Sequence, residues 1–174
     1  MNQGVALVAV AAVFASGCGY ALEGRGITSD PSIKRIGVPL FKDETGRVDL
    51  DARVTEAVVG ELLKRGRFTV VKEATGVDAV VDGTITSFDA VPINFTSSGE
   101  TTEATRYAIT LRARVVYRKV GEREPIWENA SLSIRDEYDL DASSAGFFDR
   151  EEQSIERLAE SFARRLVAAM LEAF

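Results

Sequence analysis

The segment 105–118 alternates with a period of two. Tyr107, Ile109, Leu111, Ala113, Val115 and Tyr117 fall on one side, and Arg106, Thr110, Arg112, Arg114 and Arg118 on the other. Side chains that change face at every residue predict a strand with one covered and one wet surface, the habit of antiparallel sheets. The segment 130–138 repeats the pattern: Ala130, Leu132, Ile134 and Tyr138 oppose Asn129, Ser131, Ser133, Arg135 and Glu137. Between the two, 121–125 reads as a hairpin loop. Upstream, 79–91 sets Val81, Ile85 and Phe88 amid Thr and Ser, and Gly83 is a candidate bulge. The polar stretch 94–103, with Phe95 as its one aromatic, reads as the loop of a second hairpin.

Two stretches carry the helical period instead. In 49–65, Leu50, Val54, Val58 and Leu62 recur on one face, Lys64 and Arg65 suit the C-terminal end, and Gly66 sits where a left-handed cap is expected. Strand candidates 33–41 and 68–71 flank this helix, with Pro39 near the end of the first, and 42–47 is turn chemistry. Strand, helix and strand make a βαβ-like unit with a right-handed crossover. At the far end, Asp149 and Glu152 suggest a capping box. Ile155, Leu158, Ala159, Phe162, Leu166, Ala169, Met170 and Phe174 then form an apolar stripe. Val167 and Leu171 fall off its axis, as core residues or as partner contacts. The expected fold class is α+β: a mixed four- to five-stranded sheet with two helices packed on one face, starting with the βαβ-like unit. The sequence shows no internal repeat and no second domain.

The N-terminus follows neither pattern. Residues 4–14 are an apolar run, followed by the small residues Ala15, Ser16 and Gly17 and then Cys18. The run is too short for a mature membrane span and suits the core of an export signal. A cysteine after such a run resembles the lipobox of bacterial lipoproteins, whose thiol receives a diacylglyceryl group before cleavage and whose new α-amine is then usually acylated. Two or more chains give stable anchoring at about 0.8 kcal/mol per buried methylene. The alternatives are an ordinary secretory signal with an incidental cysteine, or a short buried helix. Ala15 stands where Leu is commoner, and the first three residues lack Lys and Arg, which sets the expectation of a start a few codons upstream. Gly19, in a position where Asp would suggest retention at the inner membrane, favours the outer one. The expected division is a signal peptide over 1–17, a lipidated tether over 18–32 and one domain over 33–174.

Composition narrows the chemistry. The net charge of −6 lies wholly beyond residue 17, and an acidic total argues against general nucleic-acid binding. The 174 residues include no histidine and one cysteine, Cys18. The commonest general base, the commonest metal ligand and any Cys/His nucleophile pair are therefore missing. No metal, cofactor or catalytic residue is expected. The adjacent Asp43 and Glu44 read as turn residues far more readily than as metal ligands.

At this point the residues resemble a family. Cys18-Gly19-Tyr20 with Leu22 closely behind is similar to the start of mature lipopolysaccharide-assembly lipoproteins of the LptE type. So are the block 33–41 (IKRIGVPLF), Thr45-Gly46 and the helix that follows. The order strand, helix, strands, long C-terminal helix matches over essentially the whole mature chain. The resemblance implies an outer-membrane lipoprotein on the periplasmic face. It would sit inside and against an LptD-like β-barrel translocon, assist assembly of that barrel and help insert lipopolysaccharide into the outer leaflet.

Candidate contacts follow. Arg112, Arg114, Arg118 and Arg135 form a basic sheet face, and guanidinium forks match phosphates such as those of the lipid A region. The same face is also what an ordinary wet sheet looks like, with arginines paired across strands to carboxylates such as Glu128 or Glu137. Asn94, Phe95 and Thr96 are candidate partner contacts at a tip inserted into a barrel, or part of a solvated loop. A competing function is an oligomeric secretion-channel lipoprotein resembling the curli-export type. Such channels need transmembrane hairpins with lipid-facing alternation over about ten positions, which an arginine-rich outer face disfavours. An envelope enzyme is the third reading and lacks any nucleophile–base constellation.

Overall fold

The computed structural model describes residues 30–98, 101–140 and 147–172. Within them lie, in order, β1 (Arg35–Gly37), β2 (Lys42–Asp43), α1 (Leu50–Lys64), β3 (Thr69–Val71), β4 (Ala79–Ser98), β5 (Thr101–Lys119), β6 (Trp127–Asp139) and α2 (Phe147–Glu172). The sheet runs β3-β1-β4-β5-β6, with β2 also paired to β4. Strands β1, β2 and β3 are joined by parallel pairings and β4, β5 and β6 by antiparallel ones. The α+β class, the mixed sheet and the two helices are as expected. The strand count among the described residues rises to six because Lys42 and Asp43, read as part of a turn, make a two-residue parallel pairing with Thr84 and Ile85.

The βαβ unit forms where the apolar spacing placed it. Leu50, Val54, Val58 and Leu62 are essentially inaccessible. Gly66 closes α1 with a positive φ of 68°, and its N–H donates to the Leu63 carbonyl at 3.0 Å. Strand β1 is shorter than the 33–41 expected, since Pro39 has no N–H to continue a ladder. The chain then dives inward at Phe41, whose N–H donates to the Thr55 hydroxyl at 3.0 Å. Thr55 in turn donates to the Asp51 carbonyl at 2.6 Å, so this buried hydroxyl ties the start of β2 to α1.

Strand β5 carries the core. Ile109, Leu111, Ala113, Val115 and Tyr117 are inaccessible, and Arg112, Arg114 and Arg118 are exposed, as the alternation predicts. The apolar stripe of α2 lies over this face with Leu158, Phe162, Leu166 and Met170 fully buried. Val167 is fully buried as well, so it belongs to the core rather than to a partner surface, and Phe174 lies outside the described residues. The helix begins by Phe147, which puts Asp149 inside it and not at its cap. Glu152 pairs instead with Arg53 of α1, and Glu151 with Arg47 at 2.6 Å.

Irregularities redirect the sheet at points that the periodic pattern missed. On β6 the register skips between Ala113 and Val115, which puts Ala130 and Ser131 opposite Arg114 alone. Alternation resets there, so Ala130 is exposed and Asn129 half-buried, the reverse of the expected faces. On β4 the skip falls at Thr86, not at Gly83, which pairs in register with Val115. Gly83 serves packing instead: the Phe41 ring occupies the place where a Cβ would stand. Two further register shifts, around Ile93 on β4 and Thr105 on β5, bend the distal part of this hairpin.

Three outcomes follow. Gly83→Ala drives a methyl into the Phe41 ring, and overpacking of this kind costs about 1–3 kcal/mol, measurable by urea unfolding. The Tyr117 hydroxyl is buried with no hydrogen-bond partner among the described residues, and burial pushes its pKa up to about 12. Tyr117→Phe removes an unsatisfied group and raises stability by about 1 kcal/mol. At the chain entry, Asp30 accepts hydrogen bonds from the Lys119 ammonium at 2.7 Å and the Ser32 N–H at 2.9 Å, which hold its pKa down at about 2. A depressed carboxylate stabilises the fold above its unfolded pKa and loses that effect as pH falls through the folded one. The urea midpoints of wild type and Asp30→Asn therefore differ at pH 6 and converge from about pH 4 down to about pH 2.

Candidate binding surfaces

Of the residues expected as a hairpin loop, 94–98 and 101–103 are strand. Asn94 pairs with Arg106, Phe95 with Ala104, Thr96 with Glu103, Ser97 with Thr102 and Ser98 with Thr101. The correction has a simple cause: Thr, Asn and Ser sit comfortably in a two-stranded ribbon once the facing strand supplies the ladder, though their polarity resembles that of a loop. Strand β6 stops pairing with β5 at Arg106, where the guanidinium and Asp139 close the end at 2.6 Å. Beyond it, 95–98 and 101–105 project as two strands only, about 15 Å at some 3.3 Å per residue. Phe95 is 59% exposed and Val91 54% exposed. From Ala90 to Ser98 there is no charged side chain. The outer edge of β4 past Ile85 has no neighbouring strand among the described residues, and Pro92 lies within it. Within the three-stranded part that leads to the ribbon, the Arg47 guanidinium lies 4.4 Å from the centre of the Phe88 ring, which joins β4, the loop before α1 and α2.

The arginine face lies where the alternation placed it, on the side away from the helices. The structure adds its charge partners. Arg112 pairs with Asp89 at 2.7 Å, Arg118 with Asp82 at 3.2 Å and Arg135 with Glu137 at 3.0 Å. These are exposed pairs and so individually weak, but each guanidinium already has an anion beside it. Arg114 is the exception, with no carboxylate partner among the described residues. It lines a cleft of about 440 Å³ with Pro39, Leu40, Lys42, Asp82, Gly83, Thr84 and Val116. Lys42 and Leu40 went unnoticed in the sequence because their place beside Arg114 depends on the parallel β2–β4 pairing, which no local pattern announces. The adjacent Asp43 accepts from the Thr45 N–H at 2.9 Å and hydroxyl at 2.8 Å, ordinary turn bonding. Cys18, like the rest of residues 1–29, lies outside the described residues.

Solved structures share this architecture. The rare lipoprotein B from Shewanella oneidensis matches with a TM-score of 0.52 at 15% identity, over 79% of this chain and 93% of its own. A protein from Xanthomonas campestris matches with a TM-score of 0.53 at 11% identity, over 81% and 85%. A hypothetical protein from Chlamydia trachomatis matches with a TM-score of 0.50 at 11% identity, over 80% and 96%. At such identities these likenesses speak for the fold. No curated protein matches the chain in sequence. The family model described as LptE, lipopolysaccharide-assembly, matches residues 33–170, the whole α+β body from before β1 into the last turns of α2. With its sheet, helices and family pattern in agreement, the chain belongs to the LptE family of lipopolysaccharide-assembly lipoproteins.

Proposed function

We propose that the protein is a non-catalytic, outer-membrane component of a lipopolysaccharide translocon. In this reading it is acylated at Cys18, held by a tether over 18–32 on the periplasmic face, and partnered with an LptD-like β-barrel. The ribbon carries this reading. A projecting hairpin with Phe95 at its flank and no charge on its β4 strand from Ala90 to Ser98 enters a polar, water-filled lumen with the exposed Glu103 of β5 kept solvated, and Asn94, Phe95 and Thr96 make the contact. The arginine face, Arg112, Arg114, Arg118 and Arg135, meets the phosphates of the glycolipid on its way to the outer leaflet.

The curli-export type of channel is less well supported. Its hairpins need about ten alternating lipid-facing positions, and the ribbon offers Asn94, Thr96, Thr102 and Glu103 instead.

The test is recovery of the tagged full chain from outer membranes. A barrel protein should co-purify in equal amount, and Phe95→Asp should lower its recovery. That substitution at an exposed position should shift stability by no more than about 0.5 kcal/mol. Mass spectrometry should find acyl chains on Cys18 and no leader, with Cys18→Ser keeping its leader and lost from the outer membrane. A ring of identical subunits, or an intact leader with a free thiol, overturns the proposal.

A further inference from the structure

Among the described residues, only one outer edge of the sheet is both long and regular. Strand β3 offers three residues, and the distal edge of β4 carries Pro92 and a register shift. Strand β6 has no neighbour beyond it there, and from Leu132 to Asp139 it contains no Gly, Pro or register shift. Its bonding to β5 fixes which backbone groups stay free. The Leu140 N–H donates to the Thr105 carbonyl at 2.8 Å, so Leu140 and, by alternation, Tyr138, Asp136, Ile134 and Leu132 turn their peptide groups toward β5. Ser133, Arg135, Glu137 and Asp139 turn theirs outward. The Arg150 guanidinium, which donates to the Asp139 carbonyl at 3.3 Å, agrees with that direction. All four residues are exposed, with side chains on the face away from the helices.

We propose that a second copy of the chain pairs with this edge, β6 against β6 and antiparallel, about a two-fold axis at Asp136. Ser133 then stands opposite the second copy's Asp139, and Arg135 opposite its Glu137, each pairing made twice. These pairs use the outward groups and supply about eight backbone hydrogen bonds. On the open face the charges are complementary, with Arg135 against Glu137 and the Ser133 hydroxyl against the Asp139 carboxylate. On the helix side Ile134 meets Tyr138 and Leu132 meets Leu140, apolar against apolar. The axis brings two Asp136 side chains together, and each already has Arg157 at 3.1 Å. A slip of two residues sets Arg135 against Arg135 or Glu137 against Glu137. A slip of one sets outward peptide groups against inward ones. Charges that blunt an edge toward other strands here favour one register. The pairing is isologous and closes on itself, so it makes two copies and no ring. It goes beyond the translocon reading and does not rest on it.

The experiment is sedimentation equilibrium of the full chain in density-matched nonionic detergent. Wild type should be a concentration-dependent dimer. Arg135→Glu sets like charges opposite each other twice and should weaken association about tenfold; adding Glu137→Arg should restore it. Ser133→Pro removes an outward N–H and no bond to β5, so the dimer should be lost with the thermal melt little changed. Asp136→Cys should form an intermolecular disulfide on oxidation, because the Cα atoms of a non-hydrogen-bonded pair on the axis lie about 4.5 Å apart. Wild type and Arg135→Cys, which share Cys18 with it, should not. A monomer at every concentration, equal cross-linking from positions 135 and 136, or an Arg135→Glu defect that Glu137→Arg fails to rescue overturns the proposal. So does a folded Ser133→Pro that stays dimeric, or one that loses a co-purifying barrel instead, which assigns the edge to a strand of another protein. A weakened dimer in Arg135→Glu beside undiminished barrel recovery supports the pairing and leaves the translocon reading untouched.

Discussion

A mismatch of lengths governs this structure. Helix α2 has 26 residues at about 1.5 Å each, or roughly 39 Å, whereas β4 has 20 residues at about 3.3 Å each, or roughly 66 Å. One layer of helices cannot cover a hairpin that long. Where coverage exists, β5 buries an apolar residue at every second position; where it ends, the ribbon has no core to make and turns polar. The boundary falls near Tyr107 and Tyr138, stacked 5.7 Å apart on the covered face. On one side of that pair lies Ile109, fully buried, and on the other Phe95, largely exposed.

The two ends of the molecule accordingly differ in kind. At one end, Asp30 and Lys119 hold the incoming chain to the last residues of β5, and Asp78 accepts the N–H groups of Lys34 and Arg35 at 2.8 Å each. These bonds keep the Asp78 carboxylate below its usual pKa. Toward the other, Arg47 reaches both Phe88 of β4 and Glu151 of α2, and beyond Arg106 the ribbon runs on without cover. Between them the sheet shows the arginines on its open side. Attachment, packing and candidate contact surfaces thus occupy successive zones along one pair of strands.

Much of this was legible in the residues, for physical reasons that differ by element. The stripe of Leu50, Val54, Val58 and Leu62 and the alternation from Tyr107 to Tyr117 report burial directly, because one covered face imposes one period. The reset at Ala130 and Ser131 was not legible, since a skipped register inverts the pattern without any residue that signals it. Residues 94–98 were misread because composition cannot tell a solvated strand from a solvated loop when the partner strand, not the side chains, supplies the order. The arginine face was visible, but its pairing was not: Asp82 and Asp89 neutralise their arginines across strands brought together only by folding. Lys42 reached the same cleft through a two-residue parallel bridge, too short to leave a periodic trace.

Pro92 and the register shift beside it have one further effect. Among the described residues, the side of β4 that faces away from β5 runs unpaired from about residue 87 onward, a row of backbone donors and acceptors open to another chain. A missing N–H at Pro92 and a kink at Ile93 interrupt that row near its middle, as edge strands do when they resist stacking with their own kind. The interruption makes β4, the longest strand among the described residues, a poor template for a second copy of itself.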